Sequence, residues 1–280
     1  MVVVGGDAAY SPDGQWLAFS ARPAQGSDGP DVYVWHSGDP KAHAATTDHG
    51  SVFSAWVDDQ ILASRADRPV VVEDAPGSLD PLATPAQPLS FLLDPASGEE
   101  HDLGGLAAWR PVVDPSGRWF VYWTGSLVFD PIARTWIPAD GRLLIDRWDS
   151  TGDDPSASAD PQALLPAGAA PTRDWEIRWD PSGRYLGAWV ADPLSPGLGR
   201  LSLLAVDRAD GRIDLDRKPV LRDQPALPGF AIGDGRIAWA TPPGQNGEGS
   251  RLLVLAWKGP DAGRVRSDPA NSQDDIIVVR

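Results

Sequence analysis

Histidine and aspartate residues near the amino terminus are the side chains of this 280-residue chain whose spacing first suggests chemistry. His43 and His49 lie beside Asp39 and Asp48, and imidazole and carboxylate groups are ligands that metal ions accept. Their spacing matches no established ligand set. We therefore interpret them as solvated loop residues and predict no metal site.

Carboxylates are the other abundant reactive groups, with 39 Asp and Glu residues. Two carboxyl groups about 5–9 Å apart can hydrolyse a glycosidic bond, but nothing in the sequence marks out one pair among so many. The acidic segment from Asp149 to Asp160 has the residue type that binds calcium. It lacks the alternating ligands and central glycine of an EF-type loop, so we predict a solvated loop there.

Other catalytic signatures are missing from the sequence. The chain has no cysteine, which excludes disulfides, thiol chemistry and cysteine-based zinc sites. It has no Gly-x-Ser-x-Gly elbow, no Walker-type loop and no His-Glu-x-x-His motif. We predict no catalytic residue, no cofactor and no turnover from this chain alone, with a carboxylate-based glycan-active enzyme as the alternative.

Thirteen tryptophans provide a different kind of candidate. Most of them lie in or beside repeated apolar strands, where large aromatic side chains fill a β-sheet core. Trp56, Trp136 and Trp148 fall outside the repeated phrase. We predict that these three form the aromatic surface that binds sugars or peptides, if the chain has one.

The elements that must position these side chains are repeated β-hairpins. One phrase, an apolar strand followed by a Pro/Gly turn and a second apolar strand, occurs at residues 9–19, 112–122 and 178–188. It recurs in outline at 53–63 and 230–239. Proline presets the first turn position and glycine supplies a positive φ, so Gly14, Gly117 and Gly183 should each adopt a positive φ.

A second series of apolar runs follows in step with the first, and each run precedes a turn and a more polar segment. These runs are residues 31–35, 89–93, 142–145, 200–204 and 251–255. Polarity that rises towards an outermost strand suits a blade whose edge faces water. Only residues 162–170 favour a helix, of one turn at most, because prolines flank them.

We therefore predict an all-β protein, a β-propeller of four-stranded antiparallel blades. Five blades follow from the repeat count, and six are the alternative if the termini build one more. Residues 1–280 would form a single domain. Its blades would lie at about 7–49, 50–105, 106–170, 174–224 and 228–280.

The repeat resembles the TolB-like family of β-propellers, which is related in architecture to WD-type propellers. The resemblance rests on Ser11–Ser20 followed by Pro30–Val34, and it weakens in the second and fifth copies. The Gly-His and Trp-Asp dipeptides of the WD type are missing. The resemblance implies a non-enzymatic scaffold for protein, peptide or other ligands, such as a sensory or interaction domain of a larger envelope protein.

Two structural expectations follow from the repeat. Aromatic side chains that flank the turns should be largely buried, namely Tyr10, Trp16, Phe19, Trp119, Tyr122, Tyr185 and Trp189. The β-prone ends, Met1–Val4 and Asp275–Arg280, should close the ring, with a strand from one terminus joining a blade made by the other.

The charge balance limits the partners. The chain has 24 Lys and Arg residues and a formal net charge of −15, which disfavours nucleic acid and anionic membranes. No stretch is long enough to span a bilayer. We expect a monomer with a protein or peptide partner. If an upstream signal or anchor has been removed the compartment would be extracytoplasmic, and otherwise cytoplasmic.

Overall fold

Twenty β-strands account for the regular structure of the chain wherever its placement is described. The computed structural model describes residues 1–25, 29–68, 85–130, 132, 134–148, 161–165, 173–207, 212–213, 221–244, 249–257 and 276–279. Within these residues the strands form five four-stranded antiparallel sheets, each built from four consecutive strands.

The first three sheets belong to the amino-terminal part of the chain. The first contains β1 (Val2–Tyr10), β2 (Trp16–Arg22), β3 (Asp31–His36) and β4 (His43–Ala44). The second contains β5 (Val52–Val57), β6 (Gln60–Ala66), β7 (Pro88–Leu93) and β8 (Glu100–Asp102). The third contains β9 (Trp109–Val113), β10 (Trp119–Asp130), β11 (Thr135–Arg147) and β12 (Gln162–Ala163).

The last two sheets repeat the same order. The fourth contains β13 (Trp175–Trp179), β14 (Tyr185–Asp192), β15 (Ser195–Ala205) and β16 (Leu221–Ala226). The fifth contains β17 (Phe230–Gly233), β18 (Arg236–Ala240), β19 (Leu252–Ala256) and β20 (Ile276–Val279). The number of sheets among the described residues equals the five blades that the repeat count predicted.

The chain divides into two compact units. Unit 1 comprises Met1–Val113 and Gly117–Arg173, and it contains the first three sheets. Unit 2 comprises Asp114–Ser116 and Asp174–Arg280, and it contains the last two. The predicted short helix is not found at Gln162–Ala163, which is a two-residue strand, and residues 166–170 lie outside the described residues.

The repeated turns form as predicted. Gly14, Gly117 and Gly183 have φ values of 72°, 66° and 66°, which a residue with a side chain adopts only at a cost. The aspartate of the phrase also organises its turn. Asp180 accepts bonds from the amides of Arg184 and Tyr185 through Oδ1, at 2.9 and 2.7 Å.

Burial of the flanking aromatics follows the prediction only in part. Tyr122 and Trp189 are buried, but Tyr10 is 59% exposed, so that assignment was wrong. Trp16, Phe19, Trp119 and Tyr185 are half-buried. The reason is the position of each residue along its strand. Trp16, Trp119 and Tyr185 are the first residues of their strands. Tyr10 is the last residue of β1, beside the turn. The fully buried rings of Trp123 and Trp189 lie four residues further in.

The termini do not exchange strands, contrary to our expectation. β1 pairs with β2 in the first sheet, and β20 pairs with β19 in the fifth. Each sheet is complete with four strands from its own stretch of chain, so neither terminus is required to fill a neighbouring sheet.

One long hairpin in unit 1 reaches beyond its own sheet. β10 and β11 pair from Trp119 opposite Arg147 out to Asp130 opposite Thr135. On the way, Leu127 forms a two-bond bridge with Ala86, in the connection between β6 and β7. At the tip, the backbone of Arg134 lies against Gly29, in the connection between β2 and β3. The hairpin therefore joins the β2–β3 and β6–β7 connections of unit 1.

Candidate functional site

A loop between the first two sheets, residues 46–50, places the histidine that the sequence singled out. Its anchor is Asp31, the first residue of β3, which is 4% exposed. The Asp31 carboxylate accepts bonds from Thr46 Oγ1 at 3.1 Å, from the His49 amide at 3.0 Å and from His49 Nδ1 at 2.9 Å. These three hydrogen bonds to one buried carboxylate attach the loop to the start of β3.

The same carboxylate orients the His49 ring. Nδ1 donates to the Asp31 carboxylate, so the other ring nitrogen, Nε2, points away from that carboxylate. The His49 side chain is 49% exposed. His49 also has a φ of 55°, a left-handed conformation that costs free energy for a residue with a side chain. A buried aspartate, an oriented imidazole and a strained backbone are features that functional sites share.

Within the described part of the chain, His43 and His49 do not come together in a metal centre. His43 is exposed on β4, and no group of three metal-ligating side chains occurs in the described part of the chain. The sequence pointed to His49 but missed Asp31, because the two are 18 positions apart and no local motif connects them. The acidic segment 149–160 lies outside the described residues.

A cavity of about 350 Å³ opens beside this loop. Its wall consists of Asp48, Gly50, Arg65, Ala66, Asp67, Arg68 and Leu89, all in unit 1. Asp48 and Gly50 flank His49 in the chain, and the other lining residues come from the end of β6, the residues just after it and β7. The β-sheet therefore supplies a rigid wall on one side, and the loop held by Asp31 supplies the other.

Arg65 is locked in the centre of this wall. Its guanidinium binds Glu100 through two bonds of 3.1 and 2.8 Å and Asp48 through one of 3.1 Å. Its Cζ lies 4.3 Å from the centre of the Phe91 ring. Burial alone would lower the pKa of Arg65, but its bonds to Glu100 and Asp48 outweigh burial and raise it. Arg65 is thus a permanently charged structural group, and both of its terminal guanidinium nitrogens donate hydrogen bonds.

Arg68, by contrast, keeps donors available. Among the described residues its guanidinium meets only Asp67, through Nε at 3.4 Å, and the side chain is 40% exposed. Asp67 Oδ1 also accepts the Gln87 amide at 3.0 Å, which holds that carboxylate in place. The cavity thus offers terminal guanidinium nitrogens, an apolar contact at Leu89 and the unsubstituted backbone of Gly50.

The three tryptophans predicted to bind ligand lie in different surroundings. Trp136 and Trp148 are 5% and 4% exposed, packed edge-on against Phe129 and Phe120 respectively. Neither therefore presents a ring face to solvent, because each fills a space in the core. Trp56 is half-buried, and its Nε1 donates to the Ala9 carbonyl at 2.9 Å. A surface platform would thus rest on Trp56 alone, and its role in binding stays a prediction.

Comparison with known proteins bears on the fold of the chain. No family model matches the chain, and no curated protein matches it. Among solved structures, the β-propeller domain of the Trilobed protease from Pyrococcus furiosus superposes with a TM-score of 0.50 and 11% identity. The match covers 89% of this chain and 63% of that one. That domain has an open velcro topology.

Two further structures share the likeness. A protein assigned to TolB from Agrobacterium tumefaciens has 16% identity and a TM-score of 0.47, over 81% of this chain and 69% of that one. A periplasmic gluconolactonase from Pseudomonas aeruginosa has 14% identity and a TM-score of 0.48, over 92% and 67%.

Five sheets of four consecutive antiparallel strands, together with the Pyrococcus furiosus match, define the chain as a β-propeller protein. The β-propeller fold that the sequence predicted is confirmed. Among the residues that the structure describes, no helix is long and apolar enough to cross a membrane.

Proposed function

We propose that this β-propeller is a binding module that takes a peptide segment of a protein partner in the cavity beside His49. The observation that carries the proposal is the contrast between two arginines in one wall. Both terminal nitrogens of Arg65 donate to Asp48 or Glu100, whereas those of Arg68 make no hydrogen bond among the described residues. A rigid wall with one arginine whose terminal donors are unused among the described residues suits ligand recognition, because little conformational entropy is lost on binding.

The composition of the cavity favours a peptide over a purely apolar ligand. A volume of about 350 Å³ is at the small end of ligand sites and accommodates two or three residues. The wall carries both charges and two apolar side chains, Ala66 and Leu89, so it offers partners to a peptide carboxylate, to main-chain amides and to an aliphatic side chain. The proposal therefore commits to Arg68 as the specificity-bearing residue.

Selection from a random peptide library on the immobilised chain tests this function. Peptides enriched on the unmodified protein are then measured against Arg68→Ala. We expect binding to weaken by about 10- to 100-fold, the usual cost of losing a hydrogen bond to a charged group. Leu89→Trp, which fills the cavity, should reduce binding by a similar factor.

The matched control is Arg222→Ala in unit 2. Arg222 also lies beside its neighbour in sequence, Asp223, at 3.9 Å, and is 58% exposed. The substitution thus removes an equivalent charge away from the cavity and should leave affinity unchanged. If no peptide is enriched, or if Arg68→Ala binds as well as Arg222→Ala, the peptide-binding function is wrong.

A hydrolytic enzyme is the second candidate, and the observation that favours it is the Asp31–His49 pair. An aspartate that holds Nδ1 orients an imidazole to act as a general base through Nε2. A panel of aryl-glycosides and peptide esters tests this alternative. If the unmodified chain turns over a substrate, and His49→Gln abolishes that turnover without changing the thermal midpoint, then the chain is an enzyme and not a binding module.

A further inference from the structure

The outer half of the β10–β11 hairpin extends past its own sheet. We call this half the arm and define it as Ser126–Asp130 together with Thr135–Asp140. β10 and β11 have 12 and 13 residues, whereas the equivalent strands of the second sheet, β6 and β7, have seven and six. Among the described residues, β9 pairs with β10 only as far as Trp123, and β12 pairs only with Leu144 and Ile145. The arm therefore has no neighbouring strand from its own sheet in the described part of the chain.

The arm leaves the sheet at a rung with the features of a hinge. Gly125 and Gly141 lie directly opposite each other on the two strands. Gly125 has a φ of 152°, and a Cβ added there would overlap the carbonyl oxygen of Asp140. Just beyond this rung the register shifts, and Ala139 is the extra residue of a β-bulge. Paired glycines and a bulge allow a hairpin to bend, so the arm can change direction here as a unit.

One face of the arm is buried. Leu127, Phe129 and Trp136 are all buried in the folded chain. Phe129 pairs with Trp136, and Leu127 pairs with Pro138, so the four side chains lie on the same side of the arm. The arm is thus docked through an apolar face, which is why Trp136 is in the core and not on a binding surface.

Backbone bonds connect the arm to the first wall of the cavity beside His49. Leu127 and Ala86 exchange two backbone hydrogen bonds of 2.8 and 2.9 Å. The next residue, Gln87, accepts the Asp67 amide at 2.8 Å and donates its own amide to Asp67 Oδ1 at 3.0 Å. Asp67 lines the cavity. A continuous series of hydrogen bonds therefore runs from the arm to this wall.

Backbone packing connects the tip of the hairpin to the second wall. A Cβ on Gly29, which is buried, would lie 3.0 Å from the carbonyl oxygen of Arg134 and overlap that of His49. His49 belongs to the loop that supplies Asp48 and Gly50 to the cavity. Only glycine fits between these two carbonyl groups, so the tip is in close contact with the loop through Gly29. A change in the position of the arm would thus be felt at both walls.

We propose that the arm is a hinged clasp that couples the two walls of the cavity, and that its release lowers the affinity of the cavity for ligand. The proposal rests on the peptide-binding function and adds its regulation. Among the described residues, none of those that line the cavity belongs to the arm, so the arm acts through the walls and not as a cover. A peptide that binds the docked form favours docking by the same factor, because coupling between two sites is reciprocal.

Amide hydrogen exchange, followed by NMR without any ligand, tests the coupling. In the unmodified chain the amides of Ala86 and Leu127 should exchange at similar rates, and faster than those of β10 and β11 within the sheet. Leu127→Ala removes an inward side chain of the arm. We expect the Asp67 and His49 amides, one for each wall, to exchange at least about tenfold faster in this variant, relative to its slowest amides.

The matched control is Leu143→Ala, which removes the same side chain from a buried position of β11 within the sheet. The relative exchange of the two wall amides should not change in this variant. If either alanine variant does not fold, Leu127→Val and Leu143→Val make the same comparison with a smaller loss of volume.

A peptide selected on the unmodified chain tests the effect on affinity. Leu127→Ala should weaken its binding by about tenfold or more, since only the fraction of chains with a docked arm is competent to bind. Leu143→Ala should bind as the unmodified chain does. Bound peptide should in turn slow the exchange of the Ala86 and Leu127 amides.

Two results would overturn the proposal. One is that the Asp67 and His49 amides exchange at the same relative rate in Leu127→Ala and Leu143→Ala. The other is that the two variants bind peptide equally well. If no peptide is enriched but the wall amides respond to Leu127→Ala, the peptide-binding function is wrong and the coupling between arm and walls is supported. The exchange measurement therefore separates failure of the clasp from failure of the binding function.

Discussion

Asp31 illustrates how a single buried carboxylate can organise a functional loop. It is 4% exposed and receives three hydrogen bonds from the loop that carries His49. Asp31→Asn replaces one carboxylate oxygen by a donor, so at least one of these bonds is lost and two donors oppose each other. We expect a loss of about 2 kcal/mol of unfolding free energy, measured by urea denaturation.

The control for this substitution is Asp59→Asn, at an exposed position in the β5–β6 turn. Changes at such surface positions stay within about 0.5 kcal/mol. Equal stability of the two variants would show that the Asp31 bonds do not hold the loop.

Tyr122 is the residue that links stability to alkaline pH. Burial, with a further contribution from the Asp146 carboxylate, raises the pKa of Tyr122 to about 12, while Arg142 acts in the opposite sense. The folded-state pKa is thus above the ordinary value of 10.0, and the folded chain disfavours the phenolate. Stability from this group is complete below pH 10 and is lost as the pH rises towards about 12.

Urea unfolding at about pH 9 and about pH 11, on either side of the ordinary tyrosine pKa, measures this dependence. Tyr122→Phe should remove part of the alkaline loss, whereas Tyr10→Phe, at a residue that is 59% exposed, should not. An identical fall between the two pH values in the unmodified chain and in Tyr122→Phe would contradict the assignment.

At the scale of elements, two blades use the same device to seat a large ring. Trp123 in β10 lies against Gly141 in β11, and Trp189 in β14 lies against Gly199 in β15. Each glycine lies two residues before the strand partner of its tryptophan. A Cβ at Gly141 would overlap the Trp123 ring, and a Cβ at Gly199 would come within 2.5 Å of Trp189 Cε2.

Gly141→Ala and Gly199→Ala should therefore each destabilise the chain by about 1–3 kcal/mol, since the ring must leave its place in a packed core. Gly233→Ala is the control, because a methyl group added there would have no atom within 4 Å and the φ of Gly233 is not positive. Equal midpoints for all three variants in a thermal melt would show that the rings repack freely.

The hairpin turns provide a second test at this scale. Gly117 and Gly183 share a φ of 66°, but only Gly183 has a close neighbour, Asp114 Oδ2, at 3.1 Å from an added methyl. Gly117→Ala should cost about 1–2 kcal/mol from backbone strain alone. Gly183→Ala should cost more, and chemical denaturation that ranks them in the opposite order would mean that the Asp114 contact is not maintained.

Charge is the property of the whole molecule that most affects its solution behaviour. The formal net charge is −15, and folding brings these negative charges closer together. Their mutual repulsion therefore destabilises the folded state. Salt near 0.5 M reduces the Debye length to about 4–5 Å and screens that repulsion. We expect the thermal midpoint to rise with sodium chloride, and equally with choline chloride, which excludes specific cation binding. A falling midpoint would mean that ion pairs such as Arg65–Glu100 outweigh the net repulsion.

Sequence periodicity alone determined the architecture. The Pro/Gly turns, their left-handed glycines and the alternating apolar strands are local features, because turn type and strand pattern depend on residues a few positions apart. For that reason five sheets of four strands and the β-propeller fold were predicted correctly. Burial at single positions was predicted less well, because Tyr10 and Trp119 lie at hairpin ends, where exposure depends on what covers the end.

Only the tertiary structure decided the site and the pairing of the termini. Asp31 and His49, Glu100 and Arg65, and Gly29 and Arg134 are each brought together from distant positions, and none of these pairs leaves a pattern in one sequence. The same holds for β1 and β20, whose β-prone residues suit either their own sheets or an exchanged strand. Long-range contacts are chosen by packing and by the satisfaction of buried polar groups, which are properties of the folded chain as a whole.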